Sequence, residues 1–98
     1  MGAKAMVESA HRKAILTIHQ KWFNGDPFAL WELRTGAGIS ESSANRILKL
    51  LVYIRLLTKS RRAYAQRFYK VTDIWPMDVD KAYAFYEQAK ILLHKEIK

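Results

Sequence analysis

Ile39-Ser40-Glu41-Ser42-Ser43-Ala44-Asn45-Arg46-Ile47-Leu48-Lys49, continuing through Leu50-Leu51-Val52-Tyr53-Ile54 into Arg55-Leu56-Leu57-Thr58, is the stretch on which the reading of this chain turns. Ser40 suits an N-cap, since a serine hydroxyl accepts from a free amide at the start of a helix. The helix it opens runs to about Ile54, with Ala44, Ile47, Leu48, Leu51 and Ile54 at the spacing of one buried stripe. Counted from Ser42, the residues Arg46, Lys49 and Tyr53 stand at offsets of four, seven and eleven, all on the opposite face, with Asn45 at its flank. One side of this helix is built to pack, and the other is polar and basic.

Beyond Leu56 the period shortens. Leu56 to Ser60 and Gln66 to Thr72 are rich in apolar, aromatic and β-branched residues, and they flank Arg61-Arg62-Ala63-Tyr64-Ala65. The pattern predicts a β-hairpin with a basic tip. That tip has no Gly, Asn or Asp, so it specifies no turn type. In the second strand, alternation places Tyr69 and Val71 on one face and Phe68 and Lys70 on the other.

Upstream, Ala10, Ala14, Ile15, Ile18 and Trp22 predict a helix from about Ser9 to Phe23, stopped by Asn24-Gly25. Asp26-Pro27 then predicts a cap and first turn for a short helix from Phe28 to about Thr35, burying some of Phe28, Leu30, Trp31 and Leu33. Gly36-Ala37-Gly38 reads as a tight turn. Downstream, Trp75-Pro76 is a break and Asp78 a cap for a last helix. Its stripe is Ala82, Tyr83, Tyr86, Ala89, Leu93 and Ile97, with Phe85 and Leu92 beside it, a wide apolar arc for the end of a small domain. Trp22, Trp31 and Trp75 are expected in a core or an interface. With 98 residues, the chain has room for a single domain.

Seventeen Lys/Arg against nine Asp/Glu leave a formal charge of +8. Between Ser40 and Thr72 stand Arg46, Lys49, Arg55, Lys59, Arg61, Arg62, Arg67 and Lys70 against Glu41 alone, so that third holds +7 of the +8. A generic solubilising surface spreads its charge, whereas this concentration points to a polyanion partner. The competing explanation is a solvated face with no partner.

Several classes are excluded. There is no cysteine, so disulfides, thiolate metal sites and thiol catalysis are absent. His11, His19 and His94 lack paired-ligand spacing with an acid to complete a metal site. No Gly-rich phosphate loop, nucleophile elbow or apolar carboxylate pair appears, so no catalytic residue, cofactor or enzymatic activity is expected. The longest apolar stretch, Leu50 to Ile54, falls far short of the roughly 20 residues of a membrane span. The N-terminal residues lack the apolar core of a signal peptide. No membrane partner is expected, and the expected location is cytoplasmic, with the nucleoid.

A short helix, a Gly-containing turn and a polar-faced helix form a helix-turn-helix arrangement. The run Ile39 to Lys49 and on to Thr58 resembles the recognition helix and first wing strand of winged helix-turn-helix proteins. Arg67-Phe68-Tyr69-Lys70-Val71-Thr72-Asp73 is similar to their second wing strand, especially in PadR-like and MarR-like regulators. The resemblance spans roughly Phe28 to Asp73, plus a C-terminal helix placed as in PadR-like dimers. Two positions depart from it: Arg55 and Ile74 stand where those families usually and often, respectively, have Gly.

The resemblance implies an α+β, mainly helical fold. It would comprise a three-helix core with a β-hairpin wing over residues 9–73 and a C-terminal dimerisation helix over 76–98. It implies a sequence-specific double-stranded DNA-binding protein, a homodimeric prokaryotic or archaeal transcription regulator. In the recognition helix, Ser42 and Ser43 would meet phosphate, and Asn45 and Arg46 would pair with base edges. Lys49 and Tyr53 would reach the backbone, Tyr53 being equally suited to packing. In the wing, Arg61 and Arg62 would enter a minor groove, Tyr64 would stack on sugar or cover the hairpin, and Lys59, Arg67 and Lys70 would line the flanks. The dimer interface would use Tyr83, Tyr86, Ala89, Leu93 and Ile97. The alternatives are an adaptor for plasmid or chromosome partition, a chromatin-like protein whose further protomers spread along DNA, and a winged-helix module that binds a partner protein.

Overall fold

The computed structural model describes the backbone of residues 3–63 and 66–97, and the side chains of residues 10–60 and 66–92. Among the described residues the fold is α+β and mostly helical, with four helices and one antiparallel three-stranded sheet. The elements run α1 (Ala3–Trp22), β1 (Phe28–Ala29), α2 (Leu30–Ala37), α3 (Glu41–Tyr53), β2 (Leu57–Ala63), β3 (Gln66–Val71) and α4 (Val79–Ile97). In the sheet β3 lies between β1 and β2.

The α1 stripe is inward as its spacing dictates: Ala14, Ile15, Ile18 and Trp22 are buried and Ala10 is half-buried. The helix begins at Ala3, earlier than the expected Ser9. Gly25, at φ +99°, turns the chain away, its N–H bonded to the Trp22 carbonyl at 3.0 Å. Asp26 does not cap a helix. Its own N–H donates to Asn24 Oδ1 at 3.2 Å, a local turn, and the next residues extend instead of coiling.

Tertiary contact explains the extension at Phe28. Its ring stacks on Trp22 with centroids 4.2 Å apart and planes 10° from parallel, and it stands opposite Tyr69 in the β1–β3 register. A fully buried aromatic ring held between α1 and the sheet outweighs the local helical signal of Asp26-Pro27. Helix α2 therefore starts at Leu30, where Glu32 Oε1 accepts from the Ala29 N–H at 2.8 Å, half of a capping box, since Ala29 offers no acceptor in return. Leu33 is buried, but Trp31 is 54% exposed, which removes the core half of the core-or-interface expectation. Gly36 and Ala37 belong to α2, and only Gly38, at φ +68°, makes the turn.

Ser40 caps α3: its Oγ accepts from the Ser43 N–H at 3.2 Å. Ala44, Ile47, Leu48 and Leu51 are buried, joined by Leu50, and Ile54 is half-buried. The helix ends in a Schellman motif, in which the Leu56 N–H bonds to the Leu51 carbonyl and the Arg55 N–H to the Val52 carbonyl, each at 3.0 Å. Leu51 and Leu56, both buried, supply the apolar contact that accompanies this motif. The left-handed residue is Arg55, at φ +69°, the one non-glycine with positive φ among the described residues. A side chain there crowds the following carbonyl, a strain of about 1–2 kcal/mol. The Thr72 hydroxyl faces the carbonyl oxygens of both Arg55 (2.7 Å) and Leu56 (3.1 Å), tying the end of the sheet to the end of α3.

The hairpin is longer than the sequence pattern suggests. Arg61, Arg62 and Ala63 of the expected five-residue tip belong to β2, and the ladder continues to the Ala63–Gln66 pair; Tyr64 and Ala65 lie outside the described residues. Lys59 stands opposite Tyr69, but Arg62 stands opposite Arg67. Two residues of β2, Ser60 and Arg61, therefore face Phe68 alone, a β-bulge that sharpens the twist of the ribbon.

Asp78 Oδ1 accepts from the Asp80 N–H at 3.0 Å and caps α4. Packing of this helix is the main correction to the sequence reading. Ala82, Tyr86 and Ala89 lie in the protomer's own core, and Tyr83 is half-buried with the Arg12 guanidinium 5.1 Å above its ring. Tyr86 is thus already covered and does not form an open dimer surface, whereas Ala89, though buried, lines an apolar groove beside Phe85 and Leu92. Leu93 and Ile97 have side chains outside those described. Among the described residues, the large apolar side chains that α4 leaves exposed are Phe85, Ile91 and Leu92.

Replacing Arg55 with glycine removes the Cβ strain while keeping the Schellman bonds. Arg55→Gly is expected to raise unfolding stability by about 1 kcal/mol. Urea titration checks this as a higher midpoint at unchanged slope.

Candidate nucleic-acid interface

The polar face of α3 is open. Ser42, Asn45, Arg46, Lys49 and Tyr53 are exposed, while the stripe behind them is buried. Ser43 is the exception among the expected contact residues. Its N–H is taken by the Ser40 cap, and its hydroxyl accepts from Ser40 Oγ at 3.0 Å. Ser43 is therefore a structural member of the helix start, and Ser42 holds the more open hydroxyl, 3.5 Å from Ser40 Oγ.

Glu41, the one acid between Ser40 and Thr72, is held by Arg34 of α2 through a 3.5 Å ion pair. Both side chains are exposed, so the pair adds little stability. Its electrostatic effect is larger, because the negative charge at the head of α3 is answered from the neighbouring helix. No sequence signal points to Arg34, since only the packing of α2 on α3 brings it to this position.

The hairpin distributes its cations over both faces. Lys59 shares the Tyr69 face by register, and Arg67, two residues from Tyr69, shares it as well. Leu57 and Tyr69 mark this as the core side of the sheet. Lys70 pairs with Thr58 on the reverse side, where both are exposed. Arg61 and Arg62 have described backbone only, at the bulge and opposite Arg67 respectively, and Tyr64 lies outside the described residues. Half-buried Arg67 also borders a cleft of about 290 Å³ that Trp31, Tyr69 and Leu30 line.

A buried polar pair lies within the electrostatic reach of Arg46. His11 of α1, only 8% exposed, meets the Tyr86 hydroxyl of α4 through Nδ1 at 2.7 Å, with the rings edge to face. Burial lowers the His11 pKa from its ordinary 6.5, and the positive charges of Lys90 and Arg46 lower it further against the opposing pull of Glu87. Burial also pushes the Tyr86 phenol pKa well upward, so both members of the pair favour their neutral forms. His19 is likewise engaged, its Nδ1 accepting from Trp75 Nε1 at 2.9 Å. Among the described residues, no group of three His, Asp or Glu comes together to hold a metal ion. Nor is any helix among them long and apolar enough to cross a membrane.

The lowered His11 pKa sets a direction for stability against pH. Below 6.5 the unfolded chain binds this proton before the folded one does. Its contribution is thus complete above pH 6.5 and is lost as the pH falls through the depressed folded value. A His11→Gln variant, whose amide oxygen still accepts from Tyr86, is expected to lose that part of the acid sensitivity. Thermal midpoints of both proteins between pH 7.5 and ~5 check this, identical slopes being the contrary result.

Comparison of the chain with known protein families, curated proteins and solved structures finds no match in any of the three.

Proposed function

We propose that this chain is a winged helix-turn-helix protein that binds double-stranded DNA sequence-specifically, as a homodimer, and regulates transcription. The observation that carries the reading is the exposed polar and basic face of α3, followed in the chain through exposed Arg55 by a two-stranded ribbon that bears cations on both of its faces. The order α1-β1-α2-α3-β2-β3-α4, with β1 added beside β3, is consistent with a winged-helix layout. An α-helix about 10–12 Å across fits a major groove about 12 Å wide, and α3 has one whole face free to enter it.

The division of labour follows from side-chain chemistry. Asn45 carries the paired donor and acceptor that read an adenine edge, and Arg46 the paired donors that read the two acceptors of guanine. Lys49, Tyr53 and the Ser42 hydroxyl serve phosphate. Lys59, Arg67 and Lys70 flank the ribbon, and Arg61, Arg62 and Tyr64 extend it toward the adjacent groove. The concentration of +7 between Ser40 and Thr72 supplies most of the affinity by counterion release.

Pairing of two copies is supported by the face that α4 leaves open. Ile54, Leu56, Ile74, Phe85 and Leu92 line a groove of about 350 Å³, with Ile74, Phe85 and Leu92 themselves exposed. None of the groove's lining residues is charged. Uncharged lining lets two copies meet there through apolar contact, whereas contact across α3 or the hairpin would set like charges against each other.

Selection of bound sequences from a random duplex pool, followed by footprinting, tests the reading. A bounded footprint supports regulation, and one that spreads with protein concentration supports coating or partition. With ~6 phosphates neutralised per dimer, log K is expected to fall with log salt at a slope near −5. Arg46→Ala is expected to relax choice at one base pair by about 1–3 kcal/mol, and equal losses on specific and random DNA would remove Arg46 from the reading set. Sedimentation at micromolar concentration is expected to show a dimer, and Phe85→Glu a folded monomer. A wild-type monomer that binds its site tightly refutes the pairing.

A further inference from the structure

We infer that Arg55 is a phosphate-binding residue of the DNA interface, held at the seam between α3 and the hairpin by a backbone geometry that favours glycine. The inference rests on the duplex-binding reading above and adds to it a residue that the helix face and the wing strands do not include. Arg55 lies at φ +69°, in the Schellman position where a Cβ is a liability. Strain of this kind persists where the surroundings over-determine it, and it gathers at functional sites. Here the surroundings do so. The Arg55 N–H is bound to Val52, its carbonyl faces the Thr72 hydroxyl at 2.7 Å, and the next N–H is bound to Leu51. The base of the side chain is thereby fixed in space while the side chain itself is exposed.

No fold-level need for arginine accompanies this. The ion pairs found among the described residues join Arg12 to Asp80, Arg34 to Glu41 and Lys90 to Glu87, and none includes Arg55. Its position is between Tyr53, exposed at the end of the polar face, and Leu57, where the ribbon begins. A duplex lying against both elements must pass this corner, and its backbone presents one phosphate charge per ~1.7 Å of axis. A guanidinium on a rigid mount matches a phosphate oxygen pair better than one on a mobile stem. The competing role is purely structural: α3 has no basic residue in its last turn, so Arg55 also offsets the helix dipole.

Binding of a fluorescent random-sequence duplex to the full chain, across a salt series, separates the two roles. The variants are Arg55→Gly and Arg55→Asn, which both accept the left-handed backbone, and Arg55→Lys, which keeps the charge. The glycine and asparagine variants are expected to bind about tenfold more weakly at ~0.1 M salt for each protomer whose guanidinium is removed. Their salt slope is expected to be shallower by about 0.9 per protomer, with Arg55→Lys retaining the wild-type slope. In the same samples Arg55→Gly is expected to melt above wild type, so weaker binding cannot be laid to misfolding. Glycine and asparagine variants that fall on the wild-type line in affinity and slope overturn the assignment and leave the dipole role. A wild-type protein that binds no duplex even at low salt overturns the DNA-binding reading itself, and the assignment with it.

Discussion

The corner where α3 hands the chain to β2 is the constraint on which the rest depends. Two backbone bonds reverse the chain at Arg55, the Leu51–Leu56 contact roots the turn in the core, and Thr72 clasps it from the other strand. This clasp links residues 17 positions apart and joins the last residue of the sheet's path to the last turn of the helix. The angle between the polar helix face and the ribbon is therefore set by main-chain geometry and not by surface side chains. A surface composed of two elements needs such a joint, because a small angular error at the root displaces the ribbon tip by a distance that grows along its length. The strain at Arg55 is borne by the same bonds that make the joint rigid.

Around this joint the core is assembled from the helices and the inner face of the sheet. Phe28 is its keystone, stacked on Trp22 and set opposite Tyr69. Its burial makes β1 a strand, delays the start of α2 and positions Arg34 against Glu41.

What could be read from sequence was what is local. The α3 cap, its stripe and its exposed face depend on spacing of three and four residues within one helix, and Ser40, Ala44, Ile47, Leu48 and Leu51 all stand where that period puts them. The Tyr69 and Val71 face follows from alternation in the same way. What could not be read was set by partners distant in the chain. Two residues of β1 carry no periodicity, and their extended state comes from pairing with β3. The bulge at Ser60 and Arg61 leaves no mark in composition. Inward placement of Tyr86 depends on His11, which shares the spacing of Ala14, Ile15 and Ile18 but is polar, so an apolar stripe does not include it. A histidine on an otherwise apolar helical face is the available signal, and its meaning requires the phenol of α4. Arg55 differs again: its place beyond a helix end is legible, but the positive φ is visible only in the backbone.

Helices α1 and α4 run in opposite directions, and the contacts along their seam join His19 to Trp75, Arg12 to Asp80 and His11 to Tyr86. The last of these spans 75 residues, so all of α2, α3 and the sheet lies within one loop closed by the two outermost helices. Entropy of closure grows only slowly with loop length, so a bracket this wide costs little more than a narrow one. Such a bracket makes the middle of the chain cooperative with its ends. Opening between the two outer helices would be felt first at this seam and only then at the joint, so the seam acts as the latch of the segment it encloses.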